Sequence, residues 1–119
     1  MNKSSKQDER IAKMTFASVY PHYIAKITKK ERTIQELHIV IEWLTGMNEG
    51  AIQKAISDEL SFKDFFKKCT LNQNAVLITG NICGHKIEEI ENSLTKKVRI
   101  LDKLVDELAK GKTLEKILR

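Results

Sequence analysis

Apolar residues recur at steps of three and four along most of this chain, the spacing of amphipathic helices. Tyr20, Tyr23, Ile24 and Ile27 form the first such stripe. With Ser18 as N-cap, Pro21 falls in the first turn, where its missing N–H costs nothing. Thr33-Ile34-Gln35-Glu36 has the form of a capping box, in which Thr33 and Glu36 satisfy backbone N–H groups reciprocally. Ile34, Leu37, Ile41 and Leu44 follow, widened by Ile39, Val40 and Trp43, so this helix is expected to be buried on most sides and to stop at Gly46. Asn48 is placed to cap a shorter helix holding Ile52, Ala55 and Ile56. Ser61 opens another, with Leu60 and Phe65 at the positions of a hydrophobic staple and Phe62, Phe65, Phe66 and Cys69 on one face.

From Ile87 the stripe lengthens through Ile90, Leu94, Val98, Leu101, Val105 and Leu108, and ends at Gly111. Unbroken, that is a helix about 33 Å long at 1.5 Å per residue; a break at Asn92 or Ser93 divides it. Thr113 to Leu118 suits a last turn. Between these helices the block 76–87 is ambiguous. Val76–Thr79 and Ile82–Ile87 are readable as strands joined by Gly80-Asn81, and Asn74 is equally readable as the cap of a short helix closed by Gly84. Helix or turn is preferred, because an isolated hairpin is marginally stable. The pattern therefore predicts an all-α or mainly α domain of five or six helices over residues 14–119. It would have a long C-terminal amphipathic helix, at most a small hairpin at 76–87, and a flexible lead-in over 1–13.

At 119 residues, 41% hydrophobic and 31% charged, the chain suits one soluble domain with its own core. No apolar run approaches the roughly 20 residues that span a bilayer, and the charged N-terminus lacks the apolar core of a signal peptide. A cytoplasmic location is expected, with Cys69 and Cys83 as free thiols. The net charge of +5 is unevenly spread. Lys26, Lys29, Lys30 and Arg32 gather in one stretch, residues 33–62 hold five acids against Lys54, and residues 94–119 hold eight bases against four acids. Attraction to phosphate requires the basic stretches to share a surface. A mixed solvated surface is the preferred expectation, and the lysines at 26, 29 and 30 already have a structural reason at a helix C-terminus.

Leu77 to Glu91 concentrates two of the five glycines, one of two cysteines and one of three histidines. Neither Gly-rich phosphate-binding pattern is present. Gly80, Gly84 and Ile90 roughly fit a helix-turn-helix, yet the reading helix would open with Glu88, Glu89 and Glu91 against phosphates. Cys83, His85, Glu88 and Glu89 lack zinc spacing, so no metal and no cofactor is expected. Glu88 and Glu89 are simplest as acids at a helix N-terminus. Cys83 and His85 have the types of a nucleophile and its base, without an orienting third residue. His22 and His38 are weaker candidates, His38 reading as a core-edge histidine. Tyr20, Tyr23 and Trp43 are a stacking platform for single strands only if they are not core.

Several runs together carry a resemblance: Met14–Pro21, Trp43-Leu44-Thr45-Gly46, Phe62-Lys63-Asp64-Phe65-Phe66, Ile82-Cys83-Gly84 and the tail Leu101–Lys112. They resemble the bacterial family called domain of unknown function 2200, over nearly all of Met14 to Arg119. Glu91-Asn92-Ser93-Leu94 departs from the Asp-Pro pair the family places before that leucine, which favours a helix start near Asn92. The resemblance implies a compact bacterial cytosolic protein and supplies no activity or catalytic residue.

Three functions follow as expectations. The first is a non-enzymatic binding or interaction module, with homo-oligomerisation through the C-terminal helix as one form of it. The second is an enzyme or small-ligand protein with its site at Cys83, His85 and Glu88. The third, not favoured, is nucleic-acid binding through Lys26, Lys29, Lys30 and Arg32. No membrane partner is expected.

Overall fold

The computed structural model describes residues 5–119. Among these residues are seven α-helices and one two-stranded hairpin. The helices are α1 (Lys6–Lys13), α2 (Phe16–Thr28), α3 (Ile34–Thr45), α4 (Glu49–Ser57), α5 (Phe62–Lys68), α6 (Ser93–Ala109) and α7 (Leu114–Ile117). The hairpin pairs β1 (Asn81–Ile82) with β2 (His85–Lys86) and is flanked by 3-10 turns at Gln73–Leu77 and Ile87–Glu89.

The mainly helical architecture with a long C-terminal helix is as the periodicity predicts. Several helices also begin on the predicted residue. Thr33 and Glu36 close their capping box, and Gly46 ends α3 in the left-handed region at φ 73°. Asn48 caps α4 and Ser61 caps α5. Asn92 caps α6, so the long stripe does break there and the helix has 17 residues.

Three expectations need correction. Residues 6–13 are a helix rather than part of a flexible lead-in, because Ser5 and Asp8 form a second capping box and Ile11 is buried; residues 1–4 lie outside the described residues. Helix α2 starts at Thr15, not Ser18. Phe16 N–H donates to Leu60 O at 2.9 Å and Phe62 N–H to Met14 O at 2.7 Å, so a distant segment pins the helix start. Pro21 consequently lies inside α2, where it deprives the Ala17 carbonyl of its helical donor. Finally, the hairpin turns at Cys83-Gly84, not at Gly80-Asn81.

Helix α6 is the axis of the fold. It packs against α1, α2, α3, α5 and α7, and Val98, Ile100, Leu101, Leu104, Val105 and Leu108 are all buried. Its apolar stripe is thus covered by the same chain. Phe16 stacks on Phe65 at 4.4 Å between centroids, with Phe62 and Phe66 around them. That aromatic cluster is core, as its spacing predicts.

Candidate functional site

The glycine-rich block becomes a hairpin because two consecutive residues tolerate positive φ. Cys83 sits at 52° and Gly84 at 80°, close to the values of a type I′ turn. Cys83 is the costly member, since left-handed backbone disfavours a side chain with Cβ. Ile82 and Ile87 bury the base of the hairpin, while Ile87 N–H donates to Gly80 O at 2.9 Å. Lys103 on α6 fastens the near strand by donating to Asn81 O at 3.0 Å.

Between this hairpin, the start of α1 and the first half of α6 lies an open cavity of about 610 Å³. Gln7 and Asp8 come from α1, Asn81, Gly84, His85 and Lys86 from the hairpin, and Thr95 and Arg99 from α6, with Glu89 and Ile90 closing the remaining side. Asp8 is committed: its Oδ1 accepts from the Thr95 hydroxyl at 2.6 Å and its Oδ2 from Ser5 N–H at 3.1 Å. Those two bonds hold its carboxyl below the usual carboxylate range.

Arg99 is the notable group. Its Nη1 donates to Asp102 Oδ2 at a long 3.3 Å, while Asp102 Oδ1 is taken by the Tyr23 hydroxyl at 2.6 Å. Burial first, and then the Asp102 charge, push the Tyr23 hydroxyl well above its ordinary value, so it stays a donor. Asp102 therefore divides its charge between two partners. The Arg99 Nε is sealed from solvent and has no acceptor among the described residues, although buried polar groups are nearly always bonded. With Nη1 on Asp102, the Nε–H is a donor without a partner among the described residues, and it belongs to the Nε–Nη2 edge, the one that fits a carboxylate or phosphate bidentately.

The structure separates the residues the sequence puts forward here. His85 lines the cavity. Cys83 is exposed at the turn and is not part of the lining. Glu88 accepts from Gly80 N–H at 3.0 Å and borders a different, smaller cavity with Val76, Ile78 and Ile100. Its own backbone N–H and that of Gly80 lower its pKa. Glu88 and Glu89 belong to a 3-10 turn rather than to the first turn of α6. No group of three His, Cys, Asp or Glu residues that could hold a metal occurs among the described residues.

The basic candidates also part company. Arg32 is turned inward: Nη2 pairs with Glu36 at 2.7 Å, and Nη1 donates to the carbonyls of Leu108 and Lys112 at 3.0 and 2.8 Å. It is a clamp between the start of α3 and the end of α6. Lys26, Lys29 and Lys30 face outward beside α6.

Two constellations were not legible in the sequence. Arg99 and Asp8 join the cavity only through tertiary packing, although the Ser5-x-x-Asp8 spacing would have revealed α1. His38 is more than a core-edge residue: its Nε2 is hydrogen-bonded to the Tyr20 hydroxyl and its Nδ1 to Glu49 Oε1 at 3.0 Å. This chain ties α2, α3 and α4 together. Burial, then the Glu49 charge, raise the Tyr20 pKa, so the phenol is a poor nucleophile and the set reads as a structural bridge. The three aromatics Tyr20, Tyr23 and Trp43 make no common platform, as Tyr23 is buried on Asp102.

Comparison with known proteins agrees with this fold. A family model described as "Uncharacterized protein conserved in bacteria (DUF2200)" matches residues 10–119. A crystal structure of an uncharacterised protein, SP1917, is 38% identical with a TM-score of 0.86, covering 98% of this chain and 94% of that one. None of the curated proteins matches the chain. No helix among the described residues is long and apolar enough to cross a membrane.

Proposed function

The chain belongs to the bacterial DUF2200 family, and from the geometry of the hairpin cavity we propose that it is a binding protein for a small molecule bearing a carboxylate or phosphate group. The observation that carries this reading is the Arg99 Nε–H, which has no acceptor among the described residues, on a side chain that lines a polar cavity. Lys86 and His85 stand on the same lining, so the anionic group is met by more than one donor. Glu89 offers the opposite charge across the cavity, which suits a ligand with a cationic or hydrogen-bonding end as well.

Binding is favoured over catalysis because neither Cys83 nor Glu88 is on the lining that holds His85, so no nucleophile and base are brought to one reacting centre there. We further propose a cytosolic location, in which Cys69 and exposed Cys83 would remain thiols.

A thermal-shift series with inorganic phosphate, succinate and free amino acids tests it. At least one should raise the melting temperature of the native protein and fail to raise that of Arg99→Met. Equal shifts in both proteins, or none in either, contradict the site.

A further inference from the structure

A second, separate surface lies on the far half of α6. An open groove of about 490 Å³ runs between α2 and α6, walled by His22, Lys26, Lys29 and Lys30 on one side and by Asp106 and Lys110 on the other. Three lysines of the first basic stretch and Lys110, far apart in sequence, therefore share a face. Asp106 organises it: Oδ1 holds Lys26 at 3.1 Å and Oδ2 holds Lys110 at 3.0 Å, while the two ammonium side chains keep 45% and 71% of their exposure. Lys29 and Lys30 are exposed and form no ion pair among the described residues.

Helix ends account for only part of this charge. The C-termini of α2 and α6 each present about half a negative charge, and with Asp106 they offset roughly two of the four lysines. An excess of about two positive charges remains in a concave strip. All its donors are ammonium groups on flexible stems. A single phosphate is better held by an arginine fork or by the N–H groups of a helix N-terminus, and this groove has neither. Lysine point charges instead suit a run of phosphates, and Lys26 in the last turn of α2 is followed by Lys29 at its C-cap and Lys30 just beyond it. The groove carries no Phe, Tyr or Trp, so backbone contact rather than a stacking platform is the mode it favours.

We propose that the α2–α6 groove binds the phosphate backbone of duplex nucleic acid without regard to sequence. The test is fluorescence anisotropy of a labelled mixed-sequence DNA duplex across a salt series. Wild-type affinity should fall on a log–log plot with a slope of about −2, as expected for the roughly two phosphates that the excess charge neutralises. Lys29→Gln/Lys30→Gln should bring that slope close to zero and weaken low-salt binding about tenfold. Lys63→Gln/Lys67→Gln on α5 should leave both unchanged. The glutamines keep helical propensity, and circular dichroism melts verify folding of each variant. No binding by the wild type at low salt, or an unchanged slope in the Lys29/Lys30 variant, overturns the proposal. So does displacement of the duplex by inorganic pyrophosphate far below its ionic-strength effect, which would assign the groove to a small phosphorylated ligand.

Discussion

The Tyr23 hydroxyl donates to Asp102 Oδ1 at 2.6 Å across the α2–α6 interface. That bond draws Asp102 toward α2 and leaves only a 3.3 Å contact for Arg99 on its other oxygen. The availability of Arg99 to a ligand is thereby set by a tyrosine that does not line the cavity.

Removing that hydroxyl has two consequences. Tyr23→Phe leaves a half-buried carboxylate oxygen without its donor, a loss of about 1–2 kcal/mol. Asp102 is then free to close on Arg99, which should weaken anion binding several-fold. Urea denaturation and ligand titration measure the two effects on one variant. Lost stability with unchanged affinity would separate Tyr23 from the site.

The turn at Cys83-Gly84 makes a prediction of opposite sign. Cys83 holds φ 52° without the freedom of glycine, and the asparagine that type I′ turns favour should suit it better. Cys83→Asn is expected to stabilise by up to about 1 kcal/mol, while Gly84→Ala should destabilise by about 1 kcal/mol or more, since left-handed backbone penalises a Cβ. Thermal denaturation of both variants checks the pair; destabilisation by Cys83→Asn would mean that the thiol has contacts outweighing its backbone strain.

Glu36 couples α3 and α6 to pH. Hydrogen bonds from Arg32, then from Thr33 N–H, lower its pKa from 4.5 to about 2. Since the folded value is the lower one, the stabilisation is fully present above the unfolded pKa near 4.5 and is lost as pH falls toward 2. Allowing for solvent screening, the contribution is on the order of 1–2 kcal/mol. Glu36→Gln should lose this stability at neutral pH and show a shallower decline between pH 4.5 and 2. Identical acid profiles for variant and wild type would contradict it.

The C-terminal residue matters in the same way. Arg119 grips buried Glu107 through two bonds of 2.9 and 2.7 Å, with Lys112 adding a third at 3.2 Å. Burial raises the Glu107 pKa, and these partners outweigh it and leave it lowered. Arg119→Ala strands much of that charge and should cost about 2–4 kcal/mol in urea denaturation. A cost within a few tenths would show that Lys112 suffices.

How legible all this was in the chain depended on range. Caps work within one turn, so Thr33 with Glu36, Gly46, Asn48 and Ser61 announced their helices. The start of α2 was misread because Thr15 wins over Ser18 only through the bonds of Met14 and Phe16 to Phe62 and Leu60, some 45 residues away. The hairpin is only the less favoured of two readings of 76–87, and its register depends on Cys83 accepting positive φ, which its residue type does not advertise. For the candidate site, His85 and the glycine block were readable as a place of interest. Arg99 looked like one more base in a charged helix, because its significance comes from Tyr23 and Asp102 folding against it. Arg32 looked like a surface charge for the same reason.

The most direct test of the hairpin cavity as a binding site is a nitrogen-15 amide titration of the native protein with the anion that gives the largest thermal shift. Saturable changes should concentrate on Gly80 to Lys86, on Thr95 and on the Arg99 Nε–H resonance, and should vanish in Arg99→Met. Changes scattered over the lysine-rich surface, or the same pattern persisting in Arg99→Met, would contradict the account.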